Sequence, residues 1–166
     1  VAPSWPKLEE YCRCVAGSVG ELCLAVWGWR GPEALKFARY TGEALQLTNI
    51  LRDLHGDAAN SRLYLPEEAL QEANIQSREP LTVTRHPNIE AVCRNVGRRT
   101  EASYKSAIEV WKQYGPPSAR PAWGMLCLYR ALFKKVMRLG FEQSEKRVSL
   151  STTEKLYHLS QAYITA

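Results

Sequence analysis

The stretch LRDLHGD, residues 51–57, holds Asp53 and Asp57, the only aspartates in the 166-residue chain. At about 100° per residue, helical positions 46, 49, 53 and 57 fall in one stripe, so Gln46, Asn49, Asp53 and Asp57 share a face. Their neighbours Leu45, Leu47, Ile50 and Leu51 are apolar. A polar stripe on an otherwise apolar helix must face water, a partner or a cavity. Two carboxylates and two amides supply oxygen donors, which suit Mg²⁺ or Mn²⁺ and not zinc. Mg²⁺ takes one or two protein carboxylates and completes its shell with water and phosphate oxygens. Two ionised aspartates at i and i+4 repel, and near a helix C-terminus they also oppose the macrodipole. Arg52 and Arg62 lie close enough in sequence to compensate, and arginine suits bidentate phosphate contact. A competing reading is a solvated helix end paired with those arginines.

The elements that must position this stripe read as helices separated by Pro, Gly and Asn/Ser breaks, with no sustained alternation that would signal a strand. The first helix is expected over 7–27 with Pro6 in its first turn, and the second over 33–55. Residues 56–65 read as a loop, and Pro66 opens a short helix reaching Ala73. Residues 74–87, with two prolines and few apolar residues, read as loop. A long helix follows over 88–114, then the breaker GPPSARP, a helix over 122–139, the loop GFEQSEKR and a last helix from Ser151 or Thr152. Ser151 and Glu154 have capping-box spacing. The pattern implies a single all-α domain over residues 1–166. Gly17 and Gly20 inside the first helix each cost about 1 kcal/mol against Ala. They signal either close helix packing or room for a ligand beside the backbone.

Composition narrows the class. A chain of this length buries roughly 70% of its unfolded surface, enough for a true core. The net charge is +5, but the basic residues are spread along the chain without an aromatic–basic motif, which argues against nucleic acid as a partner. Five cysteines, an odd number without a CxxC pair, read as reduced and mostly buried thiols of a cytoplasmic protein. No apolar run is long enough to span a bilayer. The five tryptophans read as core residues or membrane-facing anchors. Val1 in place of Met points to processing or truncation.

The run GEALQLTNILRDLHGDAANSRLYLP, residues 42–66, resembles the second acidic signature of the squalene/phytoene synthase family, through Gly42, Gln46, Asn49, Arg52, Asp53, Arg62, Tyr64 and Pro66. YCRCVAGSVG, residues 11–20, resembles that family's Tyr-Cys-x-x-Val-Ala-Gly signature. Two weaker segments, PAWGMLCLYRALFKKV and KRVSLSTTEKL, resemble the family's bacterial presqualene diphosphate synthases of hopanoid biosynthesis. The resemblance implies a helical bundle of the isoprenoid (terpenoid) synthase type. It also implies that the bundle is incomplete at its N-terminus, because the family's other Asp-x-x-x-Asp motif lies well upstream of the Tyr-Cys helix. Residues 1–166 would then be the C-terminal part of such a domain and inactive alone. Gly56 stands where the family usually has an acid, which bears on metal affinity, and Ser61 replaces a frequent glycine. His55 reads as an exposed residue at a helix end, with an extra metal ligand as the alternative.

Members of this family join two prenyl diphosphates head-to-head, so the resemblance implies a prenyltransferase acting on farnesyl diphosphate, with Mg²⁺ (or Mn²⁺) assisting loss of diphosphate. NADPH enters only if the full enzyme completes reduction to squalene. Metal binding falls to Asn49, Asp53 and Asp57, and diphosphate contact to Gln46, Arg52, Arg62, Tyr64 and Arg147. Tyr11 and Tyr129 join the two aspartates as catalytic candidates, through phosphate contact or proton removal. Val15, Ala16, Val19, Leu22, Cys23, Gly42 and Leu45 are candidates for the prenyl pocket, with ordinary core as the alternative for each. Peripheral membrane contact fits a lipid product. Alternatives are a phytoene synthase acting on geranylgeranyl diphosphate, a non-catalytic assembly or binding member of the fold, and an unrelated helical module binding acidic partners.

Overall fold

The structure is a computed structural model that describes residues 2–141 and 147–164; no strand occurs among them. Helix α1 (Trp5–Cys12) passes through a π-helical turn (Arg13–Gly17) into α2 (Ser18–Val26). The helix expected over 7–27 is thus one rod with its register shifted in the middle. Helix α3 (Pro32–Arg52) starts after Gly31, whose φ of 96° a side chain would resist. It ends three residues before the expected His55. Asp53 leaves helical geometry at φ −99°, ψ 11°, and α4 (Leu54–Ala59) begins beyond it. The expected loop over 56–65 is therefore helical in its first four residues.

Short helix α5 (Glu67–Glu72) follows Pro66 as expected. A correction comes at α6 (Pro80–Thr84), inside the stretch read as loop. Proline occupies its first turn and the Glu79 carboxylate accepts from the Leu81 and Thr82 amides, so local capping outweighs the low apolar content. Helix α7 (Ile89–Tyr114) runs the expected length, a 3₁₀ turn (Pro117–Ala119) fills the breaker, and α8 (Arg120–Leu139) ends at Gly140 with φ 79°. Most of the loop expected after α8 lies outside the described residues. Helix α9 (Thr152–Ile164) carries the capping box: the Ser151 amide donates to Glu154 Oε2 at 2.7 Å and the Glu154 amide donates to Ser151 Oγ at 3.2 Å.

Helix α3 is the hub, packed against α7, α8 and the α1–α2 rod. The buried positions of α7, among them Val92, Val96, Thr100, Tyr104, Ala107 and Trp111, recur every three or four residues and form one stripe. The Tyr104 hydroxyl meets Thr48 Oγ1 at 2.9 Å inside this interface. At one end, Trp29, Phe37, Trp111 and Trp123 form an aromatic cluster with centroid separations of 5.2–5.8 Å. Three tryptophans are therefore core, while Trp5 and Trp27 are partly buried. Arg99 of α7 binds Glu43 at 2.8 Å and Glu9 at 2.6 Å, joining three helices. None of the five cysteines is in a disulfide; Cys12 is buried and Cys14 exposed, as their opposite helix faces require. No described helix is long and apolar enough to cross a membrane.

At Gly17 and Gly20 a Cβ would make only ordinary contacts, with Arg13 Cγ at 3.7 Å and Ala38 Cβ at 3.5 Å, and Gly20 lines a cavity; the close approach falls on Gly42. A Cβ on Gly42 would lie 2.6 Å from Gly17 N and 2.8 Å from Gly17 Cα, so α3 and the π turn cross backbone to backbone. At Gly56, by contrast, a Cβ meets nothing within 4 Å. Gly42→Ala should destabilise the protein by about 1–3 kcal/mol through overpacking, whereas Gly56→Ala should stabilise it by roughly 0.5–1 kcal/mol; urea unfolding of the two variants checks both signs. Lys135 Nζ and the Ser151 donors hold the Glu154 carboxyl down from 4.5 to about 2. A depressed acid contributes stability that is complete above pH 4.5 and is lost as pH falls toward 2. The melting temperature should fall less steeply between pH 5 and pH 3 in Glu154→Gln than in the parent.

Candidate active site

The crossing of α3 over the π turn opens an apolar cavity of about 460 Å³ between α2, α3 and α8. Val15, Ala16 and Val19 line one wall, Gly42 and Leu45 a second, and Pro121, Ala122 and Met125 of α8 a third. Gln46, Asn49 and Tyr129 are its polar lining. Leu22 is 69% exposed on the other side of α2 and takes no part, because the π turn rotates the residues after it relative to a straight helix. Cys23 does line the cavity.

Thr41 was not legible as a site residue, yet it lines the cavity with a buried, unpartnered Oγ1. The available signal was periodicity: Thr41, Leu45 and Asn49 follow at i, i+4 and i+8, extending the polar stripe backwards. Asn49 Oδ1 is also buried without a partner. A buried acceptor left unmade costs about 1–3 kcal/mol. Asn49 Nδ2 reaches Gln46 Oε1 and Gln46 Nε2 reaches the Tyr11 hydroxyl, both at a long 3.5 Å. Tyr11 stacks on Tyr64 with centroids 5.3 Å apart, and burial followed by the Tyr64 hydrogen bond pushes its hydroxyl up to about 12. Such a phenol is a hydrogen-bond donor at neutral pH and a poor base.

Asp53 sits at the hinge between α3 and α4, which changes the picture of one continuous stripe: Asp57 lies on the second helix. The Asp57 amide still donates to the Asp53 carbonyl at 2.8 Å, so the break is shallow. Both Asp53 oxygens are engaged. Arg52 Nε and Nη2 donate to Oδ1 and Oδ2 at 2.9 and 2.6 Å, and Arg147 Nε and Nη2 donate to the same oxygens at 2.6 and 2.8 Å. Burial opposes the Asp53 charge, but the Arg147 and Arg52 hydrogen bonds prevail and hold its carboxyl at about 2. Asp57 goes the other way, raised by burial and then by the Asp53 charge. The alternative of an aspartate paired with arginines thus holds for Asp53, with Arg147 added from far along the chain.

Exposed Arg62 donates its amide to the Asp57 carbonyl at 2.9 Å and lines a smaller cavity with Tyr11 and Tyr64. Another cavity, of about 260 Å³, is lined by Arg52, Tyr129, Arg147 and Lys155, the last a cation that nothing in its sequence context marked. His55 is neither exposed nor beside the carboxylates as a ligand: it is half-buried, with Nε2 3.0 Å from the Phe141 carbonyl, and ties α4 to the end of α8. Among the described residues no group of three or more His, Cys, Asp and Glu side chains could hold a metal. The oxygen donors along this stretch are the Asp53 and Asp57 carboxylates and the orphaned amide oxygen of Asn49. Those are hard oxygen donors of the kind a divalent cation takes, with the two Asp53 oxygens held by arginines in this structure.

Residues 1–154 match the family model described as squalene/phytoene synthase. The presqualene diphosphate synthase of Sinorhizobium fredii is 31% identical over 154 residues, covering 93% of this chain and 55% of that protein. The 15-cis-phytoene synthase of Enterobacter agglomerans is 34% identical over 152 residues, covering 89% of this chain and 50% of that protein. A crystal structure of a dehydrosqualene synthase in complex with ligand superposes with a TM-score of 0.77 at 26% identity, over 99% of this chain and 59% of the other. The described helices share that all-α, isoprenoid-synthase fold. The chain spans about half the length of the curated relatives it matches.

The unpartnered Asn49 acceptor carries a stability cost. Asn49→Leu should raise unfolding stability by about 1 kcal/mol, since it removes a buried group without a partner beside a cavity with room for the methyls. Chemical denaturation measures that gain, and titration with Mn²⁺ should show weaker binding in the same variant.

Proposed function

Because the chain belongs to the squalene/phytoene synthase family, we propose that it forms the Asp53 side of the active site of a prenyltransferase that condenses two prenyl diphosphates head-to-head. The substrate in this reading is farnesyl diphosphate and the product presqualene diphosphate or squalene. The observation that carries it is the cavity's division: an apolar pocket of about 460 Å³ whose polar lining residues, Gln46 and Asn49, lie one to two helical turns before Asp53. A prenyl diphosphate has the same division, with a hydrocarbon tail and an anionic head.

Asn49, Asp53 and Asp57 are the residues that would hold Mg²⁺. A bound divalent ion supplies charge neutralisation for a departing diphosphate. Arg52, Arg62, Arg147 and Tyr64 form the anion-binding rim and offer preorganised donors where negative charge develops. Gln46 orients the Asn49 amide and reaches Tyr11, whose raised hydroxyl donates to phosphate oxygen. Val15, Ala16, Val19, Leu45 and the α8 wall exclude water from the allylic cation left by ionisation. Tyr129 sits on both the apolar cavity and the arginine-lined one, where it can accept a hydrogen bond from Arg147 or meet the substrate at the head–tail boundary. Gly56 leaves the carboxylate count on this side at two.

A second reading, phytoene synthesis from geranylgeranyl diphosphate, is favoured by the 34% identity to a 15-cis-phytoene synthase, no lower than the 31% to a presqualene diphosphate synthase. Incubating the full-length protein with each diphosphate and Mg²⁺ separates them: a C30 product supports the first reading and a C40 product the second. Diphosphate release with neither product overturns head-to-head coupling. Asp57→Ala should lower the turnover rate by at least on the order of a hundredfold, the scale of losing one group that stabilises developing charge.

A further inference from the structure

The Asp53 carboxylate is saturated. Each of its oxygens accepts one N–H from Arg52 and one from Arg147, at 2.6–2.9 Å. A carboxylate has about four lone-pair sites, so two guanidinium forks leave none for a cation. Two fixed positive charges would also oppose a third. The two forks differ in how easily they can leave. Arg52 is the last residue of α3 and its side chain is only 11% exposed. Arg147 reaches Asp53 from 94 residues away and is 65% exposed. It also lines the cavity that holds Arg52, Tyr129 and Lys155, a basic niche beside the carboxylate.

We propose that Arg147 is a built-in counter-ion that occupies Asp53 until an anion draws the guanidinium away, so that divalent cation and diphosphate enter this site cooperatively. The inference rests on the metal-binding reading above. An incoming diphosphate offers Arg147 the same bidentate geometry that Asp53 does. Its transfer from carboxylate to phosphate vacates one lone-pair site on each Asp53 oxygen. Arg147 therefore carries two roles in sequence: it screens Asp53 in the empty site and holds the anion in the filled one. By linkage, whatever diphosphate adds to cation affinity, the cation must add to diphosphate affinity.

Mn²⁺ binding to the full chain, followed by its EPR signal with and without inorganic pyrophosphate, tests this. Arg147→Ala and Arg147→Lys should both tighten Mn²⁺ binding in the absence of pyrophosphate, by about three- to tenfold, the scale of a bidentate ion pair at a partly exposed site. Pyrophosphate should tighten Mn²⁺ binding more in the parent than in Arg147→Ala. Lysine keeps the charge and loses the fork, so tightening in Arg147→Ala alone would reduce the effect to charge removal and overturn the proposed occupation of the Asp53 oxygens by the fork. Unchanged affinity in both variants would overturn it as well, provided Asp53→Ala abolishes binding. If Asp53→Ala binds Mn²⁺ like the parent, the metal-binding reading itself fails. Far-UV circular dichroism of each variant establishes that the helices are intact.

Discussion

The site depends on the crossing of Gly42 over Gly17, where a single methyl group would collide with backbone. That contact brings α3 close to the π turn and sets the depth and shape of the cavity beyond it. The apolar positions on either side of the crossing, Ala16, Val19 and Leu45, line the pocket. The polar positions Gln46 and Asn49, a turn or more further along α3, line it as well. A π turn at the contact adds a backbone position to the first rod, so α2 points its Val19 and Cys23 inward and its Leu22 outward. Packing and site geometry thus follow from one close approach, braced elsewhere by Arg99 and the Tyr104–Thr48 pair.

Much of this was legible in the sequence. Helical periodicity marked the long elements because α3, α7 and α8 bury regular stripes, and proline and glycine marked their ends. The Ser151–Glu154 box was visible because both halves of its reciprocal bond are local. The two glycine-bearing signatures and the aspartate stripe pointed to the candidate site. What escaped was non-local or subtle in geometry. A π turn has no composition of its own, so Arg13–Gly17 read as ordinary helix. The break at Asp53 lies in a stretch with no proline or glycine at the hinge itself. Helix α6 rests on one glutamate cap, a signal easily outweighed by two prolines.

The site was legible as a set of residue types and less so as a set of contacts. Asp53 and Asp57 are equivalent on a helical wheel, yet the fold treats them oppositely: one is tightly ionised between arginines and the other is pushed toward its neutral form. No local rule predicts that Arg147 returns across 94 residues to complete the clamp. His55 shows the same limit from the other side. Its position beside two aspartates suggested a ligand or a solvated end, whereas its partner is the Phe141 carbonyl. That hydrogen bond joins α4 to the residues just past the end of α8.

The basic rim has a kinetic consequence. Arg52, Arg62 and Arg147 face the two carboxylates and Lys155 lines a cavity with Arg52 and Arg147, so the local balance there is positive, in keeping with the +5 of the whole chain. Such a rim focuses field lines outward and pulls anions in from a distance of about a Debye length, near 8 Å at physiological ionic strength. Free cations meet the opposite field and are slowed. Encounter is therefore biased: anionic molecules are steered in faster than neutral ones, and added salt erodes that advantage before it disturbs any contact inside the apolar cavity.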